Sequence, residues 1–196
     1  MKKKRNIFKP TLYLFMRLCL VGVLCFMTSP LSTRNEDLFN PIFSVFYYFV
    51  LMYLFVYTMW YEGCQDRIHA NSATRPSADM PYKGFVCSGI LALIQIVIYF
   101  LPRFFSLFSV NALSVVATVA RTVGLVPYIY PLSLISTRSL GSVASGVLQS
   151  QTEYVWTTVI FILIVLSTVV GAGIGYLSGY RDVKILKPYL DKWHRE

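Results

Sequence analysis

Residues 171–182, GAGIGYLSGYRD, hold four glycines in twelve positions. A glycine-rich turn can cradle a phosphate with its backbone N–H groups, so this stretch is the first candidate for chemistry. A dinucleotide fingerprint needs G-x-G-x-x-G between a strand and a helix. Here Gly171 and Gly173 are followed, at the third required position, by Tyr176. A P-loop needs Gly-Lys-Ser/Thr, which is absent. The phosphate reading therefore fails. What the stretch does hold is Ser167, Gly171, Gly175 and Gly179 at intervals of four, one stripe of small residues along a helix. In hydrocarbon such a stripe lets two backbones approach closely, so it is expected to pack against a helix of this chain or of a second copy.

The other reactive side chains are sparse. Cys64 and His69 form Cys-x4-His with no second pair, which is weak for zinc, so no metal or other cofactor is expected. Cys19 and Cys25 fall in an apolar run, Cys87 just inside another, and His194 stands alone near the end. All nine acids lie in loops, tails or at the ends of apolar runs. Coupling to protons or sodium ordinarily uses a carboxylate inside the membrane, so a transporter of that kind is disfavoured. No nucleophile with a base and no paired carboxylates stand out, and no catalytic residue is assigned. Four polar residues inside apolar runs remain as candidates: Arg17, Gln95, Tyr53 and Tyr57. Arg17 either meets an anionic headgroup or ligand or snorkels to the cytoplasmic surface, the preferred reading. Gln95 needs a hydrogen-bond partner, and a partner on another helix is expected before a substrate. Tyr53, Tyr57 and Tyr61 form an i, i+4, i+8 stripe that borders a polar groove or, as preferred, packs as aromatics with Tyr61 at the interface.

The elements that carry these residues follow from composition. Of 196 residues 56% are hydrophobic, 16% aromatic and 14% charged, too apolar for an ordinary soluble domain. Uncharged or nearly uncharged runs at about 11–28, 40–60, 85–101 and 154–177 suit membrane-spanning helices, since about 20 residues cross the hydrocarbon core. Tyr154 and Trp156 stand where an aromatic belt would meet the headgroups. Lys and Arg number five in residues 1–10, three in 61–84 and five in 181–196, thirteen of eighteen, which puts both termini in the cytoplasm. The +9 charge is then an orientation signal with some pull toward anionic lipid, and no nucleic-acid partner is expected. A cleaved signal peptide is the lesser reading of the N-terminus, because Arg17 comes late and no Ala-x-Ala follows.

Residues 102–136 are harder to place. Taken as two further spans they are short, joined only at Arg121, and broken by Pro127 and Pro131. Arg103, Asn111, Ser114, Thr118 and Arg121 gather on one side at helical spacing, so the preferred reading is an outer segment, amphipathic on the leaflet or partly re-entrant. Residues 137–153 read as a flexible outer loop. In the cytoplasmic tail, 181–196, Leu186, Leu190 and Trp193 recur at helical spacing among lysines and are expected to dock on lipid or a protein partner, with Pro188 bending the segment.

Trp60, Gly63 and Asp66, followed by Lys83-Gly84 at the next span, together with the closing GYLSGYRD, resemble the loop and exit of uncharacterised small polytopic membrane proteins of Gram-positive bacteria. The resemblance covers about a quarter of the chain by its motifs. It implies a bacterial plasma-membrane protein and carries no activity. The fold expected is an all-α integral membrane bundle, one transmembrane domain over 1–196, with about four spans and the outer segment. The leading function is a non-enzymatic accessory or scaffold subunit of a membrane complex, in contact with membrane lipid and with a protein partner or a second copy. The alternative is a small-solute or lipid transport component, the membrane partner of a separate ATPase.

Overall fold

The computed structural model describes residues 7–34, 36–70, 81–107, 111–136 and 151–181. Every element among them is a helix: α1 (Phe8–Arg34), α2 (Glu36–Ala70), α3 (Lys83–Leu107), α4 (Asn111–Ser136) and α5 (Gln151–Tyr180). Four of them contain segments long and apolar enough to cross a membrane, Phe8–Thr28, Pro41–Ile68, Lys83–Phe105 and Tyr154–Tyr180. A helix satisfies its own backbone N–H and C=O groups, which is why a chain this apolar forms helices where no water reaches. Large apolar side chains such as Phe15, Met16, Leu20, Phe49, Leu93, Trp156, Leu163 and Ile174 point outward all round the bundle. The interior is notably aromatic, with Tyr47, Phe55, Tyr99, Tyr128, Phe161 and Tyr176 each at most 2% exposed.

The closest approach is between α2 and α5, and the four small residues predicted as a packing stripe make it. Ser167 hydrogen-bonds Tyr48 (2.8 Å), Gly171 lies against Met52, Gly175 against Val56, and Gly179 against Trp60 and Cys64. Both series climb in steps of four, so the two helices run in the same direction in fixed register. A Cβ at Gly175 would fall 2.5 Å from the Val56 carbonyl oxygen and 3.0 Å from its Cα, and one at Gly179 would strike the Trp60 carbonyl. The stripe thus finds its partner within this chain.

Helix α3 runs opposite to α5. Ser88 reaches the Val169 carbonyl (3.5 Å), and Tyr99 stacks on Phe161 with centroids 4.2 Å apart. Gly84 sits against Tyr176 and Ala172, and Gly173 against the Phe85 ring.

Three expectations need correction. The stretch 102–136 is not one outer segment. Pro102 lies inside α3, which continues to Leu107, and α4 begins at Asn111. Helix α4 also does not lie flat. It returns antiparallel along α3, pairing Arg121 with Tyr99, Gly124 with Ile98 and Tyr128 with Gln95. Leu125, Tyr128 and Leu132 are buried there at 2%, 0% and 2% exposure. The segment is re-entrant in the sense that its second half enters the bundle. Its faces are also reversed from those of a surface helix, because Val115, Val116 and Val119 point outward and Arg121 points in. Apolar side chains outward and a cation inward suit a helix surrounded by lipid. Nor do Pro127 and Pro131 interrupt it. Both lie buried within α4, and packing against neighbouring helices tolerates the hydrogen bonds that proline removes.

The register predicts a graded response to added methyl groups. Gly175→Ala meets Val56 backbone, which cannot swing aside, and should cost about 1–3 kcal/mol. Gly171→Ala meets chiefly the terminal methyl of Met52 at 2.6 Å and should cost much less, while Ile174→Leu, on the outward face, should cost nothing measurable. Thermal denaturation in mild detergent checks the order. Equal midpoints for Gly175→Ala and Ile174→Leu would contradict it.

Candidate functional site

The most strongly built polar site joins the ends of three helices. Glu62 and Asp66 are four residues apart on the last turns of α2, hence on one face. Lys83 is the first residue of α3, and Tyr176 comes from α5. Lys83 Nζ lies 2.7 Å from Asp66 Oδ2 and 3.6 Å from Glu62 Oε2, and the Tyr176 hydroxyl donates to the same Asp66 oxygen at 2.8 Å. The Lys83 and Glu62 side chains are 7% and 14% exposed and Asp66 28%. Glycines make this convergence possible. A Cβ at Gly84 would fall 2.5 Å from Tyr176 Cβ, and one at Gly63 would strike the Tyr176 carbonyl oxygen. With those two positions bare, α2 and α3 both press onto the turn of α5 that carries Tyr176.

Sequence reasoning treated residues 61–84 as a cytoplasmic loop and missed this cluster. Helix α2 continues to Ala70, so Glu62 and Asp66 belong to a helix. The available signal was their spacing of four, with a lysine next to a glycine at the start of the following span.

A second polar contact lies at mid-bundle. Gln95, 2% exposed, donates from Nε2 to the Tyr128 hydroxyl at 3.1 Å. This is the interhelical partner that a buried amide in a span requires, and it joins α3 to α4. At the end of α3 away from Lys83, Arg121 lies over the Tyr99 ring (4.4 Å to the centroid) and Arg103 over the Tyr154 ring (4.0 Å).

The remaining candidates do not join these groups. Arg17 is on an outward face of α1. Tyr53 and Tyr57 stack on each other with centroids 6.0 Å apart but are 58% and 40% exposed, so they border no inner groove. They occupy the face of α2 turned away from α5, because Tyr48, Met52 and Val56 take the inner one. The Cys64 thiol reaches the Gly179 carbonyl (3.6 Å), and among the described residues no three His, Cys, Asp or Glu side chains gather as metal ligands. Leu186, Leu190, Trp193 and His194 lie outside the described residues.

Compared with family models, with curated proteins and with solved structures, the chain matches none.

What the arrangement does chemically is hold. Lys83 neutralises carboxylates that would otherwise sit together at the bundle's end, and one carboxylate oxygen bridges two other helices. Lys83→Met should therefore leave Asp66 and Glu62 facing each other without a cation. A loss of about 1–3 kcal/mol is expected, below that of a fully enclosed pair because Asp66 still meets solvent. Adding Asp66→Asn to Lys83→Met should recover part of it. Chemical or thermal unfolding in detergent measures both, and a double variant no better than Lys83→Met alone would contradict the pairing.

Proposed function

We propose that this chain is a non-enzymatic accessory or scaffold subunit of a membrane complex. In this reading it resides in the plasma membrane of a bacterium with both termini in the cytoplasm. One observation carries the proposal: polar side chains that converge from different helices mate with one another. Gln95 bonds Tyr128, Tyr48 bonds Ser167, and Lys83 and Tyr176 share Asp66. Groups used in this way fix the register of the helices, which suits a rigid membrane body. The orientation rests on the thirteen Lys and Arg residues of the first ten residues, the 61–84 stretch and the tail. On that orientation the Lys83 cluster lies at the cytoplasmic end, the end at which α5 stops and the sequence runs on to Leu186, Leu190 and Trp193. A partner is expected to dock at that end through both the tail and the helix termini.

Affinity purification of the tagged full-length chain from its native membrane, in mild detergent, tests the reading. A partner recovered at fixed stoichiometry, and reduced at least severalfold by Leu186→Ser with Leu190→Ser, is the expected result. Recovery of an ATPase as that partner would turn the reading to the transport alternative. A homogeneous chain recovered alone from native membranes would overturn both.

A further inference from the structure

Arg17 stands on the outward side of α1, and among the described residues no group pairs with its guanidinium. Two contacts fix its depth. Toward the start of α1, the Cys87 thiol donates to the Ile7 carbonyl (3.6 Å), and Cys87 is itself one turn inside the start of α3. Toward the other end, the Tyr47 hydroxyl donates to the Leu24 carbonyl (3.3 Å), and Tyr47 is six residues inside the apolar segment Pro41–Ile68. Arg17 lies between Ile7 and Leu24, ten residues from the first and seven from the second, so it stands inside the apolar layer that these contacts bracket. Ten residues are up to about 15 Å of helix, and the turn from Lys83 to Cys87 adds about 6 Å, which leaves the cytoplasmic surface beyond the reach of the side chain. The residues around Arg17 form a seam. Tyr13, Arg17, Leu20, Leu24 and Met27 follow at steps of four and three, and all are exposed. Leu14, Leu18, Val21 and Cys25 follow the same steps one residue later, and with these buried side chains α1 joins its own bundle. Steps of four and three are the spacing by which one helix packs along another, so α1 carries a second packing face beside the one it uses.

We propose that this outward face of α1 receives a membrane-spanning helix of a different protein, one that carries an Asp or Glu at the level of Arg17. Charge complementarity selects that occupant. A cation is costly in hydrocarbon and is held there by pairing, and a guanidinium offers a carboxylate two parallel N–H donors. A second copy of this chain has no carboxylate to give. Of its nine acids only Glu62 and Asp66 fall within the apolar segments, and both, near the cytoplasmic end, are held by Lys83. A phospholipid phosphate lies at the headgroup level, outside the layer in which Arg17 stands. The apolar neighbours Leu20, Leu24 and Met27 then pack along the incoming helix, while the ion pair sets its depth and tells it from the lipid it displaces. The inference rests on the accessory-subunit reading and names the face and the chemistry that hold the partner inside the membrane.

The test is photo-crosslinking of the full chain in its native membrane, with a benzophenone amino acid placed at Leu20, one turn from Arg17 on the same face, or at Leu163, on the outward side of α5. Position 20 should form an adduct with a membrane-spanning segment of another protein that has an Asp or Glu near its middle, and position 163 should not. Arg17→Gln should lower that yield by about fivefold or more, while Arg17→Lys keeps part of it. Both variants should unfold in detergent at the midpoint of the unaltered chain, because Arg17 pairs with nothing in its own bundle. Exchanging the charges, Arg17→Glu with the partner's acid changed to Arg, should restore an adduct that either change alone removes. Adducts with lipid only, with a second copy, or with a segment that has no acid would overturn the proposal, as would a yield that Arg17→Gln leaves unchanged. A partner recovered through Leu186 and Leu190 while position 20 meets only lipid would keep the scaffold reading and remove this one.

Discussion

Helices surrounded by lipid gain little from hiding leucine from leucine, because the acyl chains are equally apolar. They gain from contact between atoms that lipid cannot approach as closely, and in this chain that contact is backbone against backbone between α2 and α5. Removing the side chain at 171, 175 and 179 brings the α5 backbone onto Met52, Val56 and Trp60. The other contacts depend on it. With α2 and α5 parallel and touching, α3 fits antiparallel against α5 through Gly84 and Gly173, and α4 folds back along α3. A bulky residue at 175 would separate α2 from α5 along its length and shift the platform on which α3 rests.

Dispersion between smooth faces does not by itself choose a register, and the polar contacts supply that choice. Each would be costly to leave unmade inside the bundle. Tyr48 with Ser167 sets α2 against α5, and Gln95 with Tyr128 sets α4 against α3. Lys83, Asp66 and Tyr176 close the end where α2, α3 and α5 converge. A one-turn slip of any of these helices would break one of the three. The polar interior can therefore be understood as the means by which the bundle holds a single arrangement.

Much of this was legible in the sequence. The four apolar runs became helices long and apolar enough to cross a membrane, with ends shifted by up to eight residues, because a bilayer-length run of apolar residues has few alternatives to a helix. The spacing of Ser167, Gly171, Gly175 and Gly179 marked a packing face, though not which helix would meet it, since small residues carry no information about their partner. The ionic cluster was hidden because Glu62 and Asp66 look like the end of a span. Charge marks where the apolar run stops, and the helix continues past it to Ala70. Helix α4 was misjudged for a related reason. Arg121 and two prolines read as signs of a surface segment, whereas an arginine seated on Tyr99 and prolines buried among neighbours are tolerated inside a bundle. Helical spacing put Arg121 on a polar face with Arg103, which belongs to α3 and is exposed, and could not say that Arg121 itself looks inward.

The α2–α5 contact can be trapped directly. Val56 Cγ2 lies 3.5 Å from where a Cβ on Gly171 would stand, so cysteines at these two positions bring a thiol within bonding reach of its partner. In native membranes, with Cys19, Cys25, Cys64 and Cys87 replaced, mild oxidation of Val56→Cys with Gly171→Cys should protect both thiols from a bulky maleimide while the chain still migrates as a monomer. If oxidation instead joins two chains through position 171 and leaves position 56 reactive, the stripe faces a second copy, and the account given for this bundle is contradicted.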